Sequence, residues 1–339
     1  MDATNETAAP AAQSKRDWLR ILAQYKTPDP RRSLAEIIVT LIPFAILWAL
    51  AWAALSVSYW LSLLVCVPAA LLLVRLFLIQ HDCGHGAFFH RRATNDWIGR
   101  FLGVLTFTPY DVWRKMHATH HATSGNLDKR GIGDIDTLTV EEYKSRGLWG
   151  RLAYRVYRNP LVMFVIGPAY MFLLQHRIPV RLWREGWLPW VSAMATNLGI
   201  AAMALGLIWL VGLGPFLMVQ LPVVLLAASI GVWLFYVQHQ FEDTYWAHSN
   251  GWSLEDAALQ GSSYYDLPGV LKWFTANIGI HHVHHLYSRI PYYNLPKVLR
   301  DYPELAAQRR ITLLESFKCV KLRLWDESRG RLISFAELK

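Results

Sequence analysis

The sequence predicts an all-α integral membrane fold: four transmembrane helices in two hairpins, re-entrant or interfacial segments between them, and a cytosolic helical cap. Three observations predict it. Charged residues make up 17% of the chain and hydrophobic residues 53%, against roughly 25% charged in soluble proteins. Four apolar runs reach the ~20 residues that a bilayer crossing needs: Ile37 to Leu55, Tyr59 to Ile79, Trp187 to Val211 and Pro215 to Tyr236. Tyr and Trp number 15 and 16, a load suited to headgroup depth, where amphipathic rings are favoured.

Residues 1–33 read as a cytosolic tail. Its first part, Met1 to about Asp17, is rich in Ala, Thr and Asn without an apolar stretch, so it reads as disordered and not as a cleaved signal peptide. Residues 34–339 form the membrane domain. The first two runs are joined by Ser56 to Ser58 and the last two by Gly212 to Gly214. Neither link carries a charge, so each pair reads as a helical hairpin that crosses and returns.

Arg20, Lys26, Arg31 and Arg32 precede the first run, and Arg177, Arg181 and Arg184 precede the third. The positive-inside rule then places the uncharged links outside, with both termini on the cytosolic face. Arg75 is the only ionisable residue within the four runs, one turn from a cytosolic end where its long stem can snorkel to the interface.

Ile98 to Tyr110 and Pro160 to Leu174 are shorter, and each contains Gly or Pro. A crossing by either alone would put the histidines described below on opposite sides of the membrane. Both therefore read as re-entrant or interfacial. Asp111 to Asn159 and His239 to Lys339 make the cap, with helical periodicity over Leu295 to Leu314.

The formal net charge is +9. Its Arg and Lys flank apolar runs instead of forming one basic face, so nucleic acid is excluded as a partner and lipid headgroups account for the excess. Cys66, Cys83 and Cys319 are odd in number and widely spaced, which indicates neither a disulfide framework nor a zinc ribbon.

The chemistry lies in the histidines. Of 13, none falls inside the four runs. His81 and His85 follow the second run; His117, His120 and His121 form one triplet; His281, His284 and His285 form another; His239 stands alone after the fourth run. Spacings of three and four put side chains on one helix face, so each triplet should present its imidazoles along a single stripe. Chance would yield His-x-x-His-His about 0.02 times in such a chain, and it occurs twice. Nine imidazoles shared between two metals give about four or five each, a count suited to iron sites with an open position.

His282 breaks the triplet spacing and should face elsewhere. His90, His176 and His248 have no companions and read as surface or interfacial residues. Asp82 could orient an imidazole from outside the ligand set, although a helix-end role explains it nearly as well. Asn277, one turn before His281, could hold a metal-bound water; a capping role explains it slightly better. Glu242 and Asp243 read first as exposed charge, and Trp48, Trp209 and Trp233 as packing or belt residues. There is no His-Glu-x-x-His, nucleotide loop or dinucleotide fingerprint, so reducing equivalents must arrive from another protein.

His81 to His85, His117 to His121 and His281 to His285 resemble the three histidine boxes of membrane fatty acid desaturases. The likeness extends through Trp113-Arg114, His121-Ala-Thr-Ser-Gly-Asn126, Gln238-His239 and Asn277-Ile-Gly-Ile-His281, over about Leu34 to Val298. These strings are similar to bacterial acyl-lipid omega-6 (Δ12) desaturases. The resemblance implies two irons held by the eight box histidines and His239. It also implies O2-dependent removal of two hydrogens from an acyl chain, and a bacterial inner-membrane location. Electrons would come from a ferredoxin or cytochrome b5-like donor, separate because no His-Pro-Gly-Gly is present.

Related membrane di-iron enzymes share the pattern, so a hydroxylase, acetylenase or carotenoid-type oxygenase stays open; product oxygen content separates them. A haem protein or metal transporter would place ligands within the spans, and a Soret band would reveal haem.

Overall fold

The structure is a computed structural model that describes residues 17–338; the disorder expected from Met1 to about Asp17 falls, but for Asp17, outside that range. Four helices are long and apolar enough to cross a membrane: Pro30–Ala54, Tyr59–His85, Leu188–Val211 and Leu213–His239. At 1.5 Å per residue, the shortest would be about 36 Å long, beyond the ~30 Å hydrocarbon layer. The two expected hairpins are present, with turns at 55–58 and at Gly212.

Three of the four helices extend beyond the predicted runs, and the third, Leu188–Val211, matches its run to within one residue. The first helix begins seven residues early because Asp29 caps it, accepting from the backbone N–H of Arg31 and Arg32, with Pro30 in its first turn. The segment before it is folded too. Leu22 is buried, and the Tyr25 hydroxyl donates to Asp301 Oδ2 at 2.6 Å. The second and fourth helices run on to His85 and His239, so the apolar spans continue as rigid stalks that carry ligand-type residues out of the bilayer.

The second helix is the hub, with 61% of its most apolar stretch buried against 6% for the third. The third is therefore the helix most open to lipid. Arg75 corrects an expectation. It does not snorkel outward but is buried, pairing with Glu36 and bonding Thr40 Oγ1 at 3.1 Å. Its guanidinium also lies over Trp273, 4.2 Å from the ring centroid. The helix continues past Arg75 to His85, and the guanidinium is held inside the protein by Glu36, Thr40 and the Trp273 carbonyl.

Neither short apolar segment is a straight crossing helix. Residues 98–110 split into the end of an amphipathic helix, Arg92–Leu105, and a turn that starts the next helix, Tyr110–Thr123. Residues 160–174 belong to a pair of helical pieces bent by 59°.

The cap holds more than helices. Leu138–Thr139 pairs parallel to Leu324–Asp326, which pairs antiparallel to Arg331–Ile333. Tyr264–Asp266 pairs parallel to Arg310–Thr312. The helix expected over Leu295 to Leu314 is likewise interrupted: Pro303 starts a new short helix and Arg310–Thr312 is a strand. A Pro cannot continue the preceding helical hydrogen bonds.

Candidate metal centre

Box one sits on the last turn of the second helix. Gly86, at φ +66°, ends that helix directly after His85, a left-handed position that Gly takes without a side-chain penalty. His117, His120 and His121 lie on the helix Tyr110–Thr123, and His281, His284 and His285 on the short helix His281–Leu286. That short helix is tied to strand Tyr264–Asp266 by the bond from Tyr265 N–H to the Gly279 carbonyl, 2.7 Å. His239 ends the fourth helix.

These elements bring the histidines into two groups. The first holds His81, His85, His117, His121 and His284; the second holds His120, His239 and His285. Within each group, one nitrogen per ring lies within 4.8 Å of every other. His281 adjoins the second group, its Nε2 lying 3.0 Å from His239 Nε2. His282, His90, His176 and His248 lie outside both groups.

The grouping crosses the boxes, which corrects the single-stripe expectation. His117 and His121, four apart, serve the first group, while His120 turns to the second. Adjacent positions on an α-helix are about 100° apart, so His120 and His121 point to different centres. The third box divides in the same way between His284 and His285.

The nitrogen spacing fits metal ions. Neighbouring Nε2 atoms stand 3.1 Å apart for His117 and His121, 3.2 Å for His121 and His284, and 3.2 Å for His120 and His239. Ligand nitrogens about 2.1 Å from a shared ion would be about 3 Å apart at right angles. Hydrogen bonding among the rings cannot satisfy them all, since His85 Nε2 and His285 Nε2 are buried without a partner among the described residues. Desolvation first, and neighbouring imidazoles second, hold His117, His121, His284 and His285 well below the ordinary histidine range. They are neutral at physiological pH, the form that ligates a metal.

The surrounding groups orient these rings. Asp82 is buried: Oδ1 lies 3.3 Å from His81 Nδ1, and Oδ2 accepts from the Tyr292 N–H at 2.7 Å. His239 Nδ1 lies 3.2 Å from the Gly261 carbonyl. Sequence reasoning missed Asp134, whose Oδ1 is 2.6 Å from His120 Nδ1. Asn277 makes no side-chain hydrogen bond to a box histidine among the described residues; it occupies a left-handed turn at φ +54°, and its carbonyl accepts from Ile280 N–H. Glu242 and Asp243 are exposed, and Glu242 pairs with Arg331 at 2.7 Å. Trp113 stacks on His117 at 4.6 Å, and Phe235 packs on both His120 and His239, walling the groups with aromatic rings.

Residues 58–317 match the fatty acid desaturase family profile. The chain belongs to the fatty acid desaturase family. It is 44% identical over 328 residues to a fatty acid desaturase of Bacillus subtilis (strain 168), covering 97% of this chain and 93% of the relative. An sn-1 acyl-lipid omega-3 desaturase (ferredoxin) of Synechocystis is 30% identical over 241 residues, 65% of this chain and 61% of that protein. An sn-1 oleoyl-lipid 12-desaturase of the same organism is 26% identical over 229 residues, 65% of this chain and 62% of that protein. The protein is thus a membrane enzyme, a fatty acid desaturase with two histidine groups that could hold metal.

Proposed function

We propose that this desaturase introduces a double bond into a lipid-linked fatty acyl chain, using O2 and electrons from a separate protein. The convergence of nine imidazoles at the ends of membrane-crossing helices carries the reading. His81, His85, His117, His121 and His284 would hold one iron; His120, His239, His285 and His281 would hold the other. Bound there, the irons would supply the activation of O2 that removes two hydrogens from an unactivated chain.

The protein's own residues do the rest. Asp82 fixes the ring of His81, and the Gly261 carbonyl fixes that of His239, so that their other nitrogens face inward. Trp113 and Phe235 keep water from the reacting region. The chemistry balances: one O2, two electrons, two protons and two chain hydrogens become two waters.

Two lines of support bear on the finer points. Relatives named as ferredoxin enzymes support a ferredoxin-type donor; a cytochrome b5-like donor is the other possibility in this class. The box strings and the 12-desaturase relatives support a second double bond at or near Δ12/omega-6, while other relatives carry omega-3 names. The flanking Arg and Lys support histidines that face the cytosol, and the bacterial relative supports an inner membrane.

The test is turnover by the purified protein in oleate-containing phospholipid vesicles with ferredoxin, its reductase and O2. Gas chromatography–mass spectrometry should find a new double bond, with no added oxygen and none formed under nitrogen. A hydroxylated chain would replace desaturation with hydroxylation. No product from iron-loaded protein with a working donor would contradict the proposed substrate class.

A further inference from the structure

Each histidine group contains one ring whose Nδ1 meets a buried carboxylate. For the first group this is His81 with Asp82, its neighbour in sequence. For the second it is His120 with Asp134, brought from a loop 14 residues away. The second contact is the shorter, 2.6 Å against 3.3 Å.

The loop is shaped to make that approach. Gly133 stands at φ +75°, and a Cβ there would lie 3.1 Å from His120 Cβ and 3.2 Å from the Met116 carbonyl. Only glycine takes that backbone conformation freely while the chain presses on the box-two helix. Arg181 ties the loop down by donating to the Gly131 carbonyl, and Arg130 pairs with Glu142 on its other side. The Asp134 side chain is 6% exposed, and its second oxygen, Oδ2, is buried without a hydrogen-bond partner among the described residues. Burying a carboxylate with one oxygen unsatisfied is costly. An apolar residue would serve the loop better if packing were its only task.

We infer that Asp134 is the positioning residue of the second metal, setting the tautomer and aim of His120. A carboxylate only accepts, so the His120 Nδ1 carries the proton and Nε2 presents its lone pair to the group. That nitrogen is the one 3.2 Å from His239 Nε2. The inference rests on the proposed two-metal reading and adds that each metal answers to a different aspartate.

The experiment compares iron-loaded wild type, Asp134→Ala and Asp134→Asn by iron per chain, chelator titration and Mössbauer spectra. Asp134→Ala should weaken one of the two irons about 10–100-fold, the usual reach of such outer partners, and alter one spectral component while sparing the other. Asp134→Asn keeps volume and an acceptor, so its effect on the same iron should be smaller; it decides the matter if the alanine variant fails to fold. Asp82→Asn should affect the other component. Unchanged titrations and spectra would overturn the assignment, as would parallel loss of both irons, which would mark a loosened fold. Absence of iron from wild type would instead overturn the two-metal reading itself.

Discussion

Arg75 Nη2 meets Glu36 Oε2 between the first two spans, with the two side chains 2% and 4% exposed. Tyr292 joins them, donating its hydroxyl to Glu36 Oε2 at 3.1 Å, while its backbone N–H donates to Asp82. A buried ion pair thus adjoins the carboxylate that orients His81.

Removing one partner leaves an uncompensated buried charge, at a typical cost of about 3–5 kcal/mol. Glu36→Ala should therefore destabilise the protein by that order, measured by denaturant unfolding in micelles. The double variant Glu36→Leu/Arg75→Met should recover most of the loss. A single variant as stable as wild type would show that the pair contributes little.

The third box separates two roles within nearby residues. His284→Ala removes a member of the five-histidine group and should cut product formation by more than the roughly 10–100-fold that outer partners contribute. His282 lies outside both groups, in a buried setting that pushes it down to about 4. His282→Gln should cost about 1–3 kcal/mol of stability with product per folded enzyme nearly unchanged. Equal losses of activity would place His282 in the site.

The metal-free protein should be sensitive to acid. In the folded apo-protein, His117, His121, His281, His284 and His285 lie well below the usual range, through desolvation first and neighbouring imidazoles second. The unfolded chain takes up protons near pH ~6.5 while the folded chain does not, so stability falls as pH drops below that value. Chelator-treated protein should show a melting temperature that declines from pH 7 to 5. A melting temperature that stays level or rises over that range would contradict the neutral, metal-seeking state of these rings.

His248 works in the opposite sense. Its Nδ1 is 2.6 Å from Asp128 and its Nε2 3.0 Å from Glu327, clamping the loop after box two to the chain's last hairpin. These carboxylates raise the His248 pKa, Asp128 first. The clamp's stabilisation is complete below the unfolded value of ~6.5 and fades as pH rises through the folded one. His248→Ala should match wild-type stability at high pH and fall below it at pH 6; the same difference at both pH values would exclude the clamp.

What the sequence made legible was whatever repeats at short range. The boxes were visible because spacings of three and four are properties of one helix, and the spans because lipid imposes length and composition. The division into groups was not, since it depends on how the helices Tyr59–His85, Tyr110–Thr123 and His281–Leu286 face one another. Glu36 escaped notice because it precedes the first apolar run, and its partner lies 39 residues on across the hairpin. Asp134 follows Gly131-Ile132-Gly133 and has Asp136 two residues on; two glycines before an acid near a histidine box were the only local signal. The strands of the cap, two or three residues each, are too short to show alternation.

The most direct test of the central claim is the iron content of purified protein, measured by mass spectrometry beside a quantitative protein assay. The account predicts two irons per chain and no haem Soret band, with one iron weakened in His285→Ala and the other in His284→Ala. A single iron, another metal in its place, or haem absorption would contradict it.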